Sequence, residues 1–310
     1  MLLRRLYYIA KPLVPWRARI AVRRVSARRL RRQHAGVWPI NPLAAARPAA
    51  WQGWPDGKKF AVVLTHDVER PEGVAKCRSL AALEAALGFR SSFNFIPAGG
   101  DYSVEPALRG ELGDQGFEVG VHDFRHDGKL FQSQASFRAA VPEVNRYLRD
   151  WKAVGFRAGF MFHQLDWIRS LDVEYDASTF DTDPFEPQPD AATTIFPFAV
   201  PAAADGSRPG YVELPYTLPQ DSTLFLLFQE RSPEIWQRKL DWIAEHGGMA
   251  LVNVHPDYVC FEGERPAART FPASYYRDFL GYVSSRYAGA YWQPLPRDLA
   301  RWYKASHGLG

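Results

Sequence analysis

The stretch Phe60-Ala61-Val62-Val63-Leu64-Thr65-His66-Asp67-Val68-Glu69 decides how this chain is read. Its first five residues are apolar and rich in β-branched side chains, the composition of a buried strand. Two carboxylates spaced Asp-x-Glu follow where that strand ends, so both stand near one rim. Further on, a second apolar stretch, Phe117-Glu118-Val119-Gly120-Val121, runs into His122, and His126 comes one turn later. A turn of helix or a tight loop brings those two imidazoles within reach of a single ion. One carboxylate with two histidines is a three-ligand set that leaves positions open for water and substrate, as catalytic metal sites do. Each piece alone also has a plain structural reading. Asp-x-Glu after a strand is often a solvated loop, and His-x-x-x-His often decorates an exposed helix. Together they carry more weight, because both follow predicted strands, the end at which ligands gather in barrels and α/β sheets.

Two more segments repeat the pattern. Met249-Ala250-Leu251-Val252-Asn253-Val254 is an apolar strand running into His255-Pro256-Asp257-Tyr258. A histidine fixed at a strand end is a candidate general acid near neutral pH, or else a structural residue of a turn. Val154-Gly155-Phe156-Arg157-Ala158-Gly159-Phe160 sets one arginine in an apolar run. Arg157 there implies a buried carboxylate partner, unless the strand lies at an edge and the side chain reaches water.

Four strand-end motifs in this order resemble the polysaccharide deacetylases, the NodB-like group also called carbohydrate esterase family 4. The family's first motif, usually Thr-Phe-Asp-Asp, corresponds to Thr65-His66-Asp67 with the second acid displaced to Glu69. Its His-x-x-x-His is met by His122 and His126. Its Arg-x-Pro is met by Arg157, with Gly159 in the proline position. Its Leu-x-x-His is met by His255, with Val252 in the leucine position. The resemblance spans roughly residues 60–291. It implies an α/β fold, a distorted (β/α) barrel of about seven strands, and a metal-dependent hydrolase that removes acetyl groups from an N-acetylated sugar of a polysaccharide or glycolipid precursor. It implies one divalent ion, zinc in the family, held by Glu69, His122 and His126. Asp67 then serves as base, Arg157 as its partner and His255 as acid. If Asp67 were the ligand instead, no obvious base would remain. The family holds that histidine with an upstream aspartate, for which Asp221 is the candidate. Asp176, ending another strand, competes with Asp221 for that role, or else faces substrate or begins a turn; His66, beside the site, is a candidate to face substrate, to support the ligands or to be an extra ligand. Two other readings stay open: a hydrolase of non-sugar amides on the same fold, and a carbohydrate-binding protein whose chemistry has decayed.

Composition bounds the rest. The chain has 310 residues, 46% hydrophobic and 23% charged, as a folded globular protein does. Its two cysteines, Cys77 and Cys260, form no zinc or disulfide pattern and point to a reduced compartment. The net charge of +4 divides unevenly: residues 1–34 hold eleven Lys or Arg and no acid, leaving 27 bases against 34 acids in the remainder. Nucleic-acid binding by the whole chain is therefore unsupported. The arm of residues 1–34 reads as a basic amphipathic helix, either lying on anionic membrane without part in the chemistry or packed as an extension. Its charges are too frequent for a transmembrane span or a signal peptide, so a cytoplasmic place, or the cytoplasmic face of a membrane, is expected. Residues 35–58 read as a Pro- and Trp-rich linker and 59–310 as the catalytic domain. Strands are predicted at 60–65, 92–96, 117–122, 154–160, 173–178, 211–215 and 249–255. Helices are predicted near 74–88, 104–114, 135–151, 233–246 and 274–286. The long stretch 179–210 is expected to wall the substrate groove.

Overall fold

A computed structural model describes residues 16–99 and 102–308. Strand β1 (Phe60–Val68) is buried along its whole length, as a central parallel strand covered on both faces must be. Its side chains alternate between two environments. Phe60, Val62, Leu64 and Val68 pack in the layer between sheet and helices. Ala61 and Val63 join a separate cluster with Tyr175, Val212, Met249 and Leu251, inside the curl of the sheet. That parity fixes which residues can reach a central site.

On one side of β1 follow β2 (Ser92–Phe95), β3 (Glu118–His122), β4 (Gly155–Arg157), β5 (Tyr175–Asp176) and β7 (Tyr211–Glu213), each parallel to its neighbour. On the other side lies β8 (Met249–Asn253), also parallel. These are the seven strands the apolar runs predict. The sheet has nine in all. β6 (Phe198–Val200) runs antiparallel on the outer edge of β7, and β11 (Tyr291–Trp292) pairs with the start of β1. β9 (Val259–Cys260) and β10 (Phe271–Pro272) form a separate ribbon. Among the described residues, no ladder closes the curl between β7 and β8. The backbone N–H groups of Thr217 and Leu218 both donate to Leu251 O, each at 3.1 Å. The result is the distorted (β/α) barrel that the alternating pattern implies.

Helices cover the outside: α1 (Trp16–Gln33), α2 (Pro71–Ala86), α3 (Pro106–Asp114), α4 (Gln134–Trp151), the single turn α5 (Leu165–Ile168), α6 (Glu234–His246), α7 (Ala273–Arg286) and α8 (Pro296–Ser306). Proline opens α2, α3 and α8, where its missing N–H costs no intrahelical bond. Ser133 caps α4 by accepting from the Ser136 N–H at 3.1 Å. The predicted strand 154–160 stops at Arg157, because Phe160 and Met161 adopt left-handed backbone that no strand can continue.

The basic arm is less free than its charge suggests. Residues 1–15 lie outside the described residues. From Trp16 the chain is helical, and Ile20 and Ala27 are buried against the core. Arg24 Nε donates to Leu226 O at 3.0 Å and Arg31 pairs with Glu230 at 2.6 Å. The first anchors α1 to a wide π-type helical turn, Ser222–Phe228, and the second to the chain just beyond it. The segment 35–58 straps the core. Trp38, Ala44 and Trp54 are buried, and the Trp54 indole donates to Gly247 O at 2.8 Å. Among the described residues, no helix is long and apolar enough to cross a membrane.

Candidate active site

Asp67 stands at the C-terminal end of β1 on the inward parity. Its Oδ1 accepts from the Asn94 side chain at 3.1 Å and its Oδ2 from the Asn253 side chain at 2.7 Å. Arg157 Nη1 lies 3.6 Å from Oδ2. Burial works to raise the Asp67 pKa. The opposing charges of Arg157, His122 and His255, with the Asn94 bond, overcome it and bring the value to about 2. Asn94 reaches this carboxylate over Gly120, where a Cβ would overlap Asn94 Oδ1.

Two residues on, Glu69 meets the histidines. His122 ends β3, and its Nδ1 donates to Arg157 O at 3.1 Å, so Nε2 carries the lone pair and faces inward. The chain then turns tightly rather than helically, with Asp123 and His126 at φ 57° and 51°. That strained turn swings His126 back beside His122, ring centroids 4.9 Å apart, and stacks it on Phe160 at 4.5 Å. Gly159 supplies the room, since a Cβ there would overlap Asp123 and His126. A proline, which the family motif carries, could not stand in that position here. One ligand atom each from Glu69, His122 and His126 lies within 4.8 Å of the others. Nε2 of both histidines is buried without a hydrogen-bond partner. Buried lone pairs left unsatisfied beside a carboxylate fit a divalent cation. Burial acts to raise the Glu69 pKa, but His126 and His122 hold it well below the usual range.

His255 follows β8 and faces the same space, its Nε2 3.8 Å from Glu69 Oε1. Asp221 grips it twice. Oδ1 lies 2.7 Å from His255 Nδ1, and Oδ2 accepts the His255 backbone N–H at 2.7 Å. Burial works against the imidazolium, but Asp221 and then Glu69 and Asp67 raise its pKa to about 10. Tyr258 donates to Glu69 Oε2 at 3.2 Å, and Asp257 accepts the Glu69 backbone N–H at 3.0 Å. Asp67, Glu69, His122, His126, His255 and Tyr258 line a cavity of about 390 Å³, with Phe160, Glu186 and Gln220 on its walls.

Seven of the nine residues singled out from sequence, Asp67, Glu69, His122, His126, Arg157, Asp221 and His255, therefore converge. Two do not. His66 is fully buried on the opposite face of β1, its ring bonded to Val254 O at 2.9 Å and Glu84 at 2.7 Å. Strand alternation makes this unavoidable, because a neighbour of Asp67 must point into the helix layer. Asp176 is also fully buried and does not line the cavity. It sits in register with Glu213 on β7. Burial pushes both carboxyls up, and each is tied to the Ser178 or Thr179 hydroxyl at 2.7 Å. The basic arm packs on the domain, as one of its two readings has it, and Ile20 and Arg23 of α1 line the cavity. Sequence reasoning missed Asn94 and Asn253, although both share Asp67's inward parity. It also passed over Glu186, which accepts from Tyr216 at 2.9 Å and from Gln220 at 2.6 Å.

No family model matches the chain, and no curated protein matches it in sequence. Among solved structures, a Mycobacterium smegmatis protein assigned as a polysaccharide deacetylase is similar at 19% identity, covering 84% of this chain and 96% of that one, with a TM-score of 0.59. A family 4 carbohydrate esterase from Streptomyces lividans is similar at 14% identity over 74% of this chain and 90% of that one, TM-score 0.43. The peptidoglycan deacetylase PdaC from Bacillus subtilis is similar at 11% identity over 83% and 97%, TM-score 0.45. The last two are too distant in shape to carry an argument. The first shows the fold: this chain has that of the polysaccharide deacetylases.

Proposed function

We propose that this chain is a metal-dependent hydrolase that removes the acetyl group from an N-acetylated sugar, as part of a polysaccharide or a glycolipid precursor. The observation that carries the reading is the pairing of two constellations in one cavity. Glu69, His122 and His126 offer three ligand atoms within 4.8 Å of one another, the two imidazole nitrogens without a hydrogen-bond partner. Around them stand a carboxylate held ionised by Arg157 and an imidazole held by Asp221.

Glu69, His122 and His126 would hold the divalent ion, which when bound supplies Lewis acidity toward the acetyl carbonyl and toward water. Asp67, ionised through Arg157 and oriented by Asn94 and Asn253, takes a proton from the attacking water. His255 gives its Nε2 proton to the departing amine nitrogen, which could not leave as an amide anion near pH 7. Asp221 keeps the ring positioned through Nδ1 and supports its charge. Water and amide are thereby converted to acetate and amine, and a proton passes back from Asp67 to solvent as His255 regains one. Phe160, on the cavity wall, offers an apolar face for a sugar ring.

The outer face of α1 is proposed to rest on anionic membrane. It exposes Val22 and Val25 together with Arg28, Arg29 and Arg32. Acetate release from N-acetylglucosamine oligomers by the zinc-loaded protein tests the activity. Release that persists after chelation, or in Asp67→Asn, counts against this mechanism. Release from simple amides but from no sugar favours a non-sugar amide hydrolase.

A further inference from the structure

We propose that the substrate carries an anionic group, a phosphate ester or a carboxylate, received by Arg23 of α1 and Arg70 beyond β1. The inference rests on the deacetylase reading and narrows its substrate class.

Four contacts fix α1 along one face: Ile20 and Ala27 in the core, Arg24 on Leu226 O, and Arg31 on Glu230. With the helix so held, Arg23 stands one turn from Ile20, and both line the cavity. Arg70 directly follows Glu69 and lines it as well, as does Arg269. Among the described residues, the guanidinium groups of Arg23 and Arg70 make no hydrogen bond or salt bridge, Arg70 being bonded only through its backbone carbonyl to the Val74 N–H. Both are exposed, so each guanidinium is available to a ligand.

The acids of the same cavity are already committed. Asp67 is bound by Arg157, Asn94 and Asn253. Glu69 belongs to the ligand triplet. Glu186, the acid whose charge Arg23 influences, accepts from Tyr216 and Gln220, and burial followed by Asp183 pushes its pKa up to about 8. Burial thus favours the neutral acid, and the carboxyl oxygen is already engaged by Tyr216 and Gln220 rather than by Arg23. A bound divalent cation would add still more positive charge. The cavity is therefore electrostatically incomplete with a neutral sugar and completed by an anion. The planar fork of arginine suits phosphate and carboxylate oxygens in particular.

The full chain loaded with zinc is assayed at low ionic strength on N-acetylglucosamine, its 1-phosphate and N-acetylmuramic acid. Wild type should favour at least one anionic sugar over the neutral one by about tenfold or more in kcat/KM, the scale of one charge-assisted hydrogen bond. Which anion is favoured separates phosphate from carboxylate. Arg23→Gln and Arg70→Gln should each reduce that preference several-fold, Arg23→Lys should restore part of it, and added salt should erode it. Equal rates on all three sugars, or a preference that survives the double variant, overturns the inference and leaves the deacetylase reading intact. Should no sugar release acetate, calorimetric binding of the same three compounds decides. Arginine-dependent binding of an anionic one upholds the inference while the deacetylase reading fails. Binding that is absent or indifferent to both arginines overturns it.

Discussion

Asp67 and Glu69 are separated by one residue, yet they stand in different surroundings. Asp67 is enclosed by Arg157 and two asparagines. Glu69 is turned to two bare imidazole nitrogens. Asp67→Asn should therefore keep the metal and lose roughly 10²-fold or more in kcat, the usual scale for one acid–base group. Metal analysis alongside single-turnover rates checks this, and loss of metal in that variant would exchange the two roles. His122→Ala and His126→Ala should each lower bound metal sharply, and unchanged stoichiometry in both would remove the triplet from consideration. Gly159 makes a subtler case. Gly159→Ala adds a Cβ against Asp123 and His126 and should weaken metal affinity by displacing His126, read by competition with a chelator. An affinity equal to wild type would mean that the His126 turn absorbs the methyl group. His66 carries the lesson of this scale. It stands beside the motif in sequence, but side-chain alternation along β1 sends it to Glu84 and Tyr276 in the helix layer.

At the scale of elements, α1 is the one whose sequence signal pointed two ways. Its basic composition was plain, but the face that packs is written by only a few residues, Ile20, Arg24, Ala27 and Arg31. Two of those are themselves arginines, which a hydropathy pattern counts as solvent-facing. The opposite face remains for a membrane. Each arginine near an anionic surface contributes about 1 kcal/mol, so Arg28→Glu, Arg29→Glu and Arg32→Glu together should strongly reduce sedimentation with phosphatidylserine vesicles at low salt. Sedimentation unaltered by the triple change would leave α1 as cavity wall alone. The predicted strands survive because each is an apolar run long enough to read. β6, β9, β10 and β11 are not legible, since no apolar alternating run extends beyond their two or three paired residues. α8 carries Leu299 and Tyr303 buried at helical spacing.

For the whole molecule, buried carboxyls set a pH dependence. Glu118 lies inside the curl, where it accepts from the Tyr175 hydroxyl at 2.8 Å and from the Arg297 N–H that begins α8 at 3.0 Å. Burial raises its pKa to about 7, only partly opposed by the Arg297 N–H and Tyr175. A carboxyl raised on folding favours the folded state in its protonated form. Its contribution is complete below the ordinary carboxylate range and is lost as pH rises through about 7. Glu118→Gln cannot ionise, so its stability relative to wild type should increase between pH 5 and pH 8, by an amount on the order of a few kcal/mol. Paired denaturation curves at the two pH values measure it. A difference that does not change with pH would mean that Glu118 is already ionised or protonated throughout.

The sequence by itself determined the parallel α/β architecture, because apolar β-branched runs alternating with helical periods admit little else. It also picked out seven candidate residues that the fold brings together, because a parallel barrel gathers its strand ends at one rim. What it could not determine is whatever depends on two distant segments meeting. Asp176 looked like one more strand-end acid until β5 and β7 set it in register against Glu213. Asn94 and Asn253 became partners of Asp67 only when β2 and β8 flanked β1. Arg23 entered the cavity only when α1 docked on Ser222–Phe228. Local pattern fixes period and rim, whereas register, side-chain parity and the docking of a polar helix arise from packing, and only the tertiary structure decides them.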